Sequence, residues 1–503
     1  MKDIDNTRIT VTIDKYDENK KELRLRYFFT NKIDENIYLD NTLVSPRYTK
    51  IRSINGTSEH AFEKIIWIRV ERLKAVLSIS LANKVVNFSI YKQMFDNLLL
   101  VSKIIRILTD KSVDHTKIPL RHKLYRFIYQ RNYFYKKFHN AWILVDRDYQ
   151  ADDNAEHLYR YMMRNEPKIK IYFLLKKSSH DWLRLKKEGF NLLSIGSYMH
   201  KAALIHASHL VSSHTFQYDH GYLRPKYYSD LVTRKFTFLR HGVTKDNLAD
   251  LLNPIEIDCF VTSAQREYDS ICNDKTNYTF TKKEVVLTGF ARHDALLQTK
   301  KSSEKIILIM PTWRRNIVIA SMDKSNHTFA QTTYCQKWKS LLHSQRLLEI
   351  SKKNNYRIIF FPHALVQPSI DEFQVPEHVE ALSHSFGSIQ SLFQKATVLI
   401  TDYSSVFFEM GMLNKQTFYY QFDQTEFFSG GHCYSKGYFS YEEDGFGPVS
   451  LEENDLLDKL EGLLTSNRTI EQIYLDRIQN FFAFHDTDNS KRIVNAICDL
   501  EAS

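Results

Sequence analysis

From Ala141 onward the chain alternates short apolar runs with amphipathic stretches, and this alternation limits the fold more than any other feature of the sequence. The first series runs AWILVD, DDNAEHLYRYMMRN, IKIYFLL, a helical stretch near Ser179 to Glu188, FNLLSI and ASHLVSS. A second series opens with KIILIMPTW and continues with a helix around Trp338 to Asn354, RIIFFPH, a helix around Ser388 to Gln394, TVLITD and TFYYQFD. Strands that alternate with helices form a parallel sheet covered on both faces. Two such series predict two Rossmann-like halves with a ligand cleft at the carboxyl ends of their strands.

The region before Ala141 reads differently. Between Ile9 and Ile90 short alternating runs such as ITVTI, LRLRYFF, IIWIRV and AVLSISL are separated by polar turns, which predicts a small antiparallel β-rich module. The segment Lys117 to Lys137 carries seven Lys or Arg and no acidic residue, interleaved with Leu, Ile, Phe and Tyr. It reads as a basic amphipathic linker with a membrane contact or simply as a solvated helix. The expected division is therefore 1–100 β-rich, 101–140 linker, 141–300 a first Rossmann-like lobe and 301–503 a second.

Length and composition narrow the classes further. A chain of 503 residues has room for about three domains. With 43% hydrophobic and 25% charged residues it is globular in composition. Its five cysteines form no CxxC pair, so neither a zinc site nor a disulfide framework is indicated. The amino terminus lacks a secretory apolar segment, and the apolar run Leu98 to Leu108 is broken by Lys103 and Arg106, so a cytoplasmic protein that does not span a membrane is expected. A net charge of +10 and a pI near 9.0 favour an anionic partner, without choosing among nucleic acid, lipid and a phosphate-rich substrate.

Four short motifs carry chemistry. Thr401-Asp402-Tyr403-Ser404-Ser405 lies between a buried strand and a helix, where hydroxyls and free backbone N–H groups suit a diphosphate. A plain helix cap fits that spacing equally well, and Glu409, a turn later, suits a ribose hydroxyl or solvent. Pro311-Thr312-Trp313-Arg314 ends a strand with a guanidinium that matches phosphate oxygens. Arg240-His241-Gly242 and Phe361-Pro362-His363 each place a histidine after an apolar strand, a position also common for structural histidines.

Taken together, HGVTKD, PTWR, FFPH and ITDYSSVFFE resemble the CDP-glycerol glycerophosphotransferase family, the teichoic-acid and capsule polymerases of bacterial envelopes. DDNAEHLYRYM, DCFVTSAQREYDSI, VLTGFARHDALL and GYFSYEEDGFGPV extend the resemblance from about Trp142 to about Asp486. It implies an α/β, GT-B fold and transfer of glycerol phosphate or ribitol phosphate from a CDP-alditol to a polymer hydroxyl or lipid-linked acceptor, with release of CMP. It further implies His241 and His363 as catalytic residues, His241 being the base; His363 and Arg314 on the donor diphosphate, Ser404 and Ser405 as the phosphate cradle, Glu409 on the ribose, and Thr312 and Asp402 among the donor-binding residues. Gly242, Thr244 and Lys245 fall on the acceptor side.

Two departures stand out: HGVTKD where many members have HGTPLK, and PHA where most have HP. No DxD-type carboxylate cluster is present, so neither a metal nor another cofactor is expected. The expected location is the inner face of the cell membrane, with a peripheral contact to anionic lipid; association into a homo-oligomer stays open. The rivals are a GT-B glycosyltransferase using a nucleotide sugar and a nucleic-acid-binding protein, and the second explains none of the four motifs.

Overall fold

A computed structural model describes residues 115–215, 223–273, 276–298, 304–315, 317, 329–383, 387–428, 436–466 and 470–502, together with backbone strands between Lys2 and Tyr91. Those early strands form two antiparallel sheets, one of five strands and one of four. The apolar run Leu98 to Leu108 lies outside the described residues.

Strands Trp142–Val145, Ile171–Leu175, Leu192–Ser194, His209–Ser212, Lys235–Phe238, Cys259–Thr262 and Val285–Leu287 form one parallel sheet. Counted from Trp142–Val145, they run through the sheet in the order 3-2-1-4-5-6-7. A second parallel sheet comprises Ile306–Met310, Arg357–Phe360, Val379–Ala381, Val398–Thr401, Thr417–Tyr420 and Val449–Ser450, in the order 3-2-1-4-5-6. The strand order reverses between strands 1 and 4 in both, which opens a crevice at their carboxyl ends. Register aligns the exits: Val145 pairs with Ser212, and Met310 with Thr401.

Central strands in both sheets are buried along their whole length, as in Ile306–Met310 and Val398–Thr401, because helices cover both faces. Two helices that border the cleft begin on side-chain caps. Asp153 accepts from Asn154 N at the start of Asn154–Asn165, and Ser388 accepts from Ser391 N at the start of Ile389–Lys395.

Two segments pack differently from the expected division of the chain. The basic stretch forms helices Leu120–Tyr129 and Asn132–Phe138, whose Tyr129 and Phe138 enter the first lobe's core. It is a buttress of that lobe, because each helix presents one apolar side to the helix Tyr198–His206. Helix Asn489–Ala502, grouped by sequence with the second lobe, returns to the first. There Asp294 accepts from Asn489 N at 3.0 Å and from Ser490 N at 2.8 Å, while Arg492 donates to Thr288 O.

Candidate active site

The carboxyl ends of the two sheets face each other across one cleft, lined by Asp146, Arg147, His241, Gly242, Thr244 and Lys245 of the first lobe. From the second lobe come Thr312, Trp313, His363, Ser404, Ser405 and Glu409. Residues as far apart in sequence as Asp146 and Glu409 thus share one space.

His241 lies three residues beyond the strand Lys235–Phe238, after Arg240, whose φ of 64° is the left-handed conformation costly for a side chain. The turn is held from outside: Asn154 Nδ2 donates to Arg240 O at 2.7 Å, and Arg292 Nη1 donates to His241 O at 2.7 Å. Arg292 also bonds Asp153 Oδ1 at 2.6 Å and pairs with Glu409 of the opposite lobe. Asp153 in turn lies 3.5 Å from His214 Nε2, and the His214 ring stacks on His241 with centroids 4.9 Å apart. His241 and its surroundings therefore form one connected set.

Charge follows from this packing. The His241 ring is exposed to the cleft, yet the protein walls around that cleft strip it of much of its hydration. Lost hydration, then His214 and Arg240, hold its pKa well below the ordinary 6.5. The imidazole is thereby kept neutral and able to take a proton. Burial works to raise the Asp153 carboxyl, but Arg292 and His214 outweigh it and keep that group ionised. Glu409 behaves alike, its burial outweighed by Arg292 and His293.

The rest of the HGVTKD loop is fixed by motif residues distant in sequence. Thr244 N donates to Glu267 Oε1 at 2.6 Å, and Ser263 N donates to the other oxygen at 2.8 Å. Lys245 pairs with Asp246 and lies over the Tyr441 ring. Gly242 allows the lobes to approach closely: a Cβ there would stand 3.0 Å from Ser405 Oγ. At Gly437 a Cβ would meet Lys245 O at 2.1 Å, so the GYFSYEED block is seated against the same loop.

Across the cleft, His363 follows the strand Arg357–Phe360, and its Nδ1 accepts from Leu365 N at 3.2 Å. That bond leaves the proton of the neutral ring on Nε2, a donor suited to a phosphoryl oxygen. Trp313 lies alongside, with ring centroids 6.1 Å apart. Ser404 and Ser405 are partly exposed at the turn before a short helix, Phe407–Met412. Thr312 shares this wall.

Arg314 and Asp402 do not reach the cleft, contrary to the expectation that both bind a donor. Arg314 is 3% exposed, ion-paired with Asp402 at 2.9 Å, and bonded to Asp423 at 2.8 and 3.1 Å. The rings of Tyr403 and Phe427 cover it. Asp402 Oδ1 accepts from both Thr312 N and Tyr403 N, at 2.9 and 2.7 Å. These two residues fix the walls of the phosphate turn from behind. Glu409 does line the cleft, where it pairs with Arg292.

Sequence reasoning assigned no role to Arg292, Asp153, Asn154, His214 or Trp313. For His214 a signal existed, since it follows the apolar strand HLVSS just as His241 and His363 follow theirs. Among the described residues, no group of three or more His, Cys, Asp or Glu side chains is arranged to hold a metal ion.

Comparison with known proteins agrees with this architecture. The chain is 37% identical over 373 residues to the minor teichoic acid biosynthesis protein GgaB of Bacillus subtilis (strain 168), covering 72% of this chain and 40% of that protein. It is 21% identical over 374 residues to a teichoic acid poly(glycerol phosphate) polymerase of Staphylococcus epidermidis, covering 67% and 47% respectively. The chain thus spans less than half the length of these two curated relatives. The solved wall teichoic acid polymerase TagF shares the fold, with a TM-score of 0.51 and 17% identity over 82% of this chain and 99% of that one. The family model for CDP-glycerol:poly(glycerophosphate) glycerophosphotransferases matches residues 125–499, from the basic helix to the returning terminal helix, and the chain belongs to that family.

Proposed function

We propose that the chain transfers an alditol phosphate, from CDP-glycerol or CDP-ribitol, to a hydroxyl of a growing teichoic-acid-like polymer. The observation that carries this reading is the pair of histidines facing one cleft from opposite lobes, His241 beside the acceptor loop and His363 beside the Ser404-Ser405 turn. In the reaction the acceptor hydroxyl gives its proton to neutral His241 while its oxygen bonds to the alditol-bearing phosphorus. The bond from that phosphorus to the bridging oxygen breaks, and CMP departs with the electron pair. His363 Nε2–H and the hydroxyls of Ser404, Ser405 and Thr312 neutralise the charge that develops on the phosphoryl oxygens.

The test is incubation of the purified chain with CDP-glycerol, CDP-ribitol and UDP-sugars, each with a short polymer acceptor. Release of CMP with growth of the acceptor by one alditol phosphate is expected. Release of UDP with sugar transfer would instead make it a glycosyltransferase.

A peripheral membrane contact belongs to the same proposal. Leu120, Leu124 and Phe127 follow one another at helical spacing and are 83%, 55% and 59% exposed, with exposed Arg121, Lys123 and Arg131 around them. Such a face suits shallow insertion among anionic headgroups. Elsewhere in the basic stretch Tyr133 is also exposed, whereas Tyr125, Ile128 and Phe134 pack on the lobe. Arg126 is unavailable to lipid because it bonds both oxygens of Asp230. No described helix is long and apolar enough to cross a membrane. Replacing Leu120, Leu124 and Phe127 by Ser should reduce sedimentation with phosphatidylglycerol vesicles; unchanged sedimentation would remove this face from the proposal.

A further inference from the structure

The cleft holds four cationic side chains on the acceptor lobe, and their pairing differs. Arg292 is shared between Asp153 and Glu409, and Lys245 is matched by Asp246. Arg240 is buried, with its guanidinium over the Phe238 ring. Arg147 is different: it is partly exposed, lines the cleft, and its side-chain contact is with the neutral Gln150 Oε1 at 3.4 Å. It follows the strand Trp142–Val145, at the point where the strand order of the first sheet reverses.

The carboxylates nearby are already engaged. Asp146 accepts from Asp153 N, Ala155 N, Glu156 N and the Ser213 hydroxyl. Asp152 accepts from Ile389 N and lies beside His157, and Asp148 pairs with Lys176. Among the described residues Arg147 is therefore a guanidinium turned to the cleft without a carboxylate partner, on the wall opposite the phosphate turn. Its charge is among those acting on His241, so it sits within electrostatic range of the reacting hydroxyl.

We propose that Arg147 recognises a phosphodiester of the acceptor, so that the preferred acceptor is a chain end already carrying alditol phosphate and not an uncharged sugar or alditol hydroxyl. The proposal rests on the transfer reaction above and narrows its acceptor. Each transfer leaves a phosphodiester one alditol behind the new terminal hydroxyl. A cation near the base would read that group, and a guanidinium fork matches its two unesterified oxygens. An enzyme so built extends a phosphorylated chain faster than it starts one.

The test compares two synthetic acceptors of equal length, an alkyl di(glycerol phosphate) and the uncharged alkyl diglycerol ether, with CDP-glycerol or CDP-ribitol, whichever the native chain uses. The native enzyme should favour the charged acceptor in kcat/KM, and its KM for that acceptor alone should rise with added NaCl. In Arg147→Gln the preference ratio should fall about tenfold or more, with Arg147→Lys intermediate. The ratio cancels any change in His241 basicity, because both acceptors use the same base. No preference in the native enzyme, or an unchanged ratio in Arg147→Gln, would overturn the inference. So would calorimetry showing that the substitution acts by weakening CDP-alditol binding. If Arg147→Gln does not fold, the native acceptor preference and its salt dependence decide. Absence of CMP release by the native chain with either acceptor and either donor would overturn the transfer reaction itself, and with it this refinement.

Discussion

Each lobe ends a central strand in a buried aspartate that organises a turn at the cleft, but the two aspartates are stabilised by different means. In the first lobe Asp146 is surrounded by backbone N–H groups and the Ser213 hydroxyl, and burial together with ionised Asp153 raises its pKa well above the usual carboxylate range. In the second lobe Asp402 faces Arg314, whose other side is held by Asp423. One turn is pinned by neutral donors and the other by a buried ion triad. The difference separates residues that do chemistry from residues that hold the chemistry in place, and it explains why the second lobe contributes no free guanidinium to the cleft from Arg314.

The largest effects should come from the residues in the cleft itself. His241→Ala and His363→Ala should each reduce CMP release by a factor of about a hundred or more, the ordinary range for losing a proton-transfer group or a donor to developing charge. Calorimetry should separate them, with donor affinity retained in His241→Ala and weakened in His363→Ala. If either variant releases CMP at the native rate, that histidine has no part in the reaction.

Next come the supports. Arg314→Ala leaves Asp402 and Asp423 buried beside each other without a cation, and should cost about 3–5 kcal/mol of stability in denaturant unfolding. Asp146→Asn should cost less, about 1–3 kcal/mol, because no charge is left unpaired but the amide NH2 cannot accept the backbone N–H groups that one carboxyl oxygen now takes. Equal losses in the two variants would erase the distinction between the turns.

How much of this was legible beforehand depended on sequence distance. The two sheets could be read because buried parallel strands are continuous apolar runs such as KIILIM and ATVLI, and the cleft histidines because each closes such a run. The state of Arg314 could not: a strand-end arginine looks the same whether it faces a phosphate or a carboxylate, and Asp423 lies 109 residues away. Arg292 was hidden for the same reason, since Asp153 and Glu409 are 139 and 117 residues distant. The basic helices were visible as a pattern. Which of their aromatic residues turn inward was not, because Tyr125, Phe127 and Ile128 alternate too closely to reveal a face without a partner helix.

A smaller effect should follow at the contact between lobes. Gly242→Ala places a methyl 3.0 Å from Ser405 Oγ, so the serine or the loop must yield by a few tenths of an ångström. A severalfold rise in donor KM with native stability is expected; an unchanged KM would mean the lobes do not rely on this approach.

The mildest test concerns acidity. In the proposed reaction the neutral form of His241 is the base; lost hydration, His214 and Arg240 depress its pKa, so the neutral form persists as pH falls past the ordinary histidine value. The acid limb of kcat/KM should therefore lie below pH 6.5. A limb above that value would show that the cations around His241 do not govern it.

The returning helix also sets the order in which the protein can be made. Asp294 receives its backbone donors from Asn489 and Ser490, 195 and 196 residues later in the chain. On the ribosome the amino-terminal lobe emerges first, yet it waits with an unfilled groove against Thr288 and Asp294 while the entire second lobe is synthesised. Only when residues 489–502 have cleared the exit tunnel can that groove close. Nascent chains stalled before residue 489 should accordingly remain protease-sensitive in the lobe that was translated first.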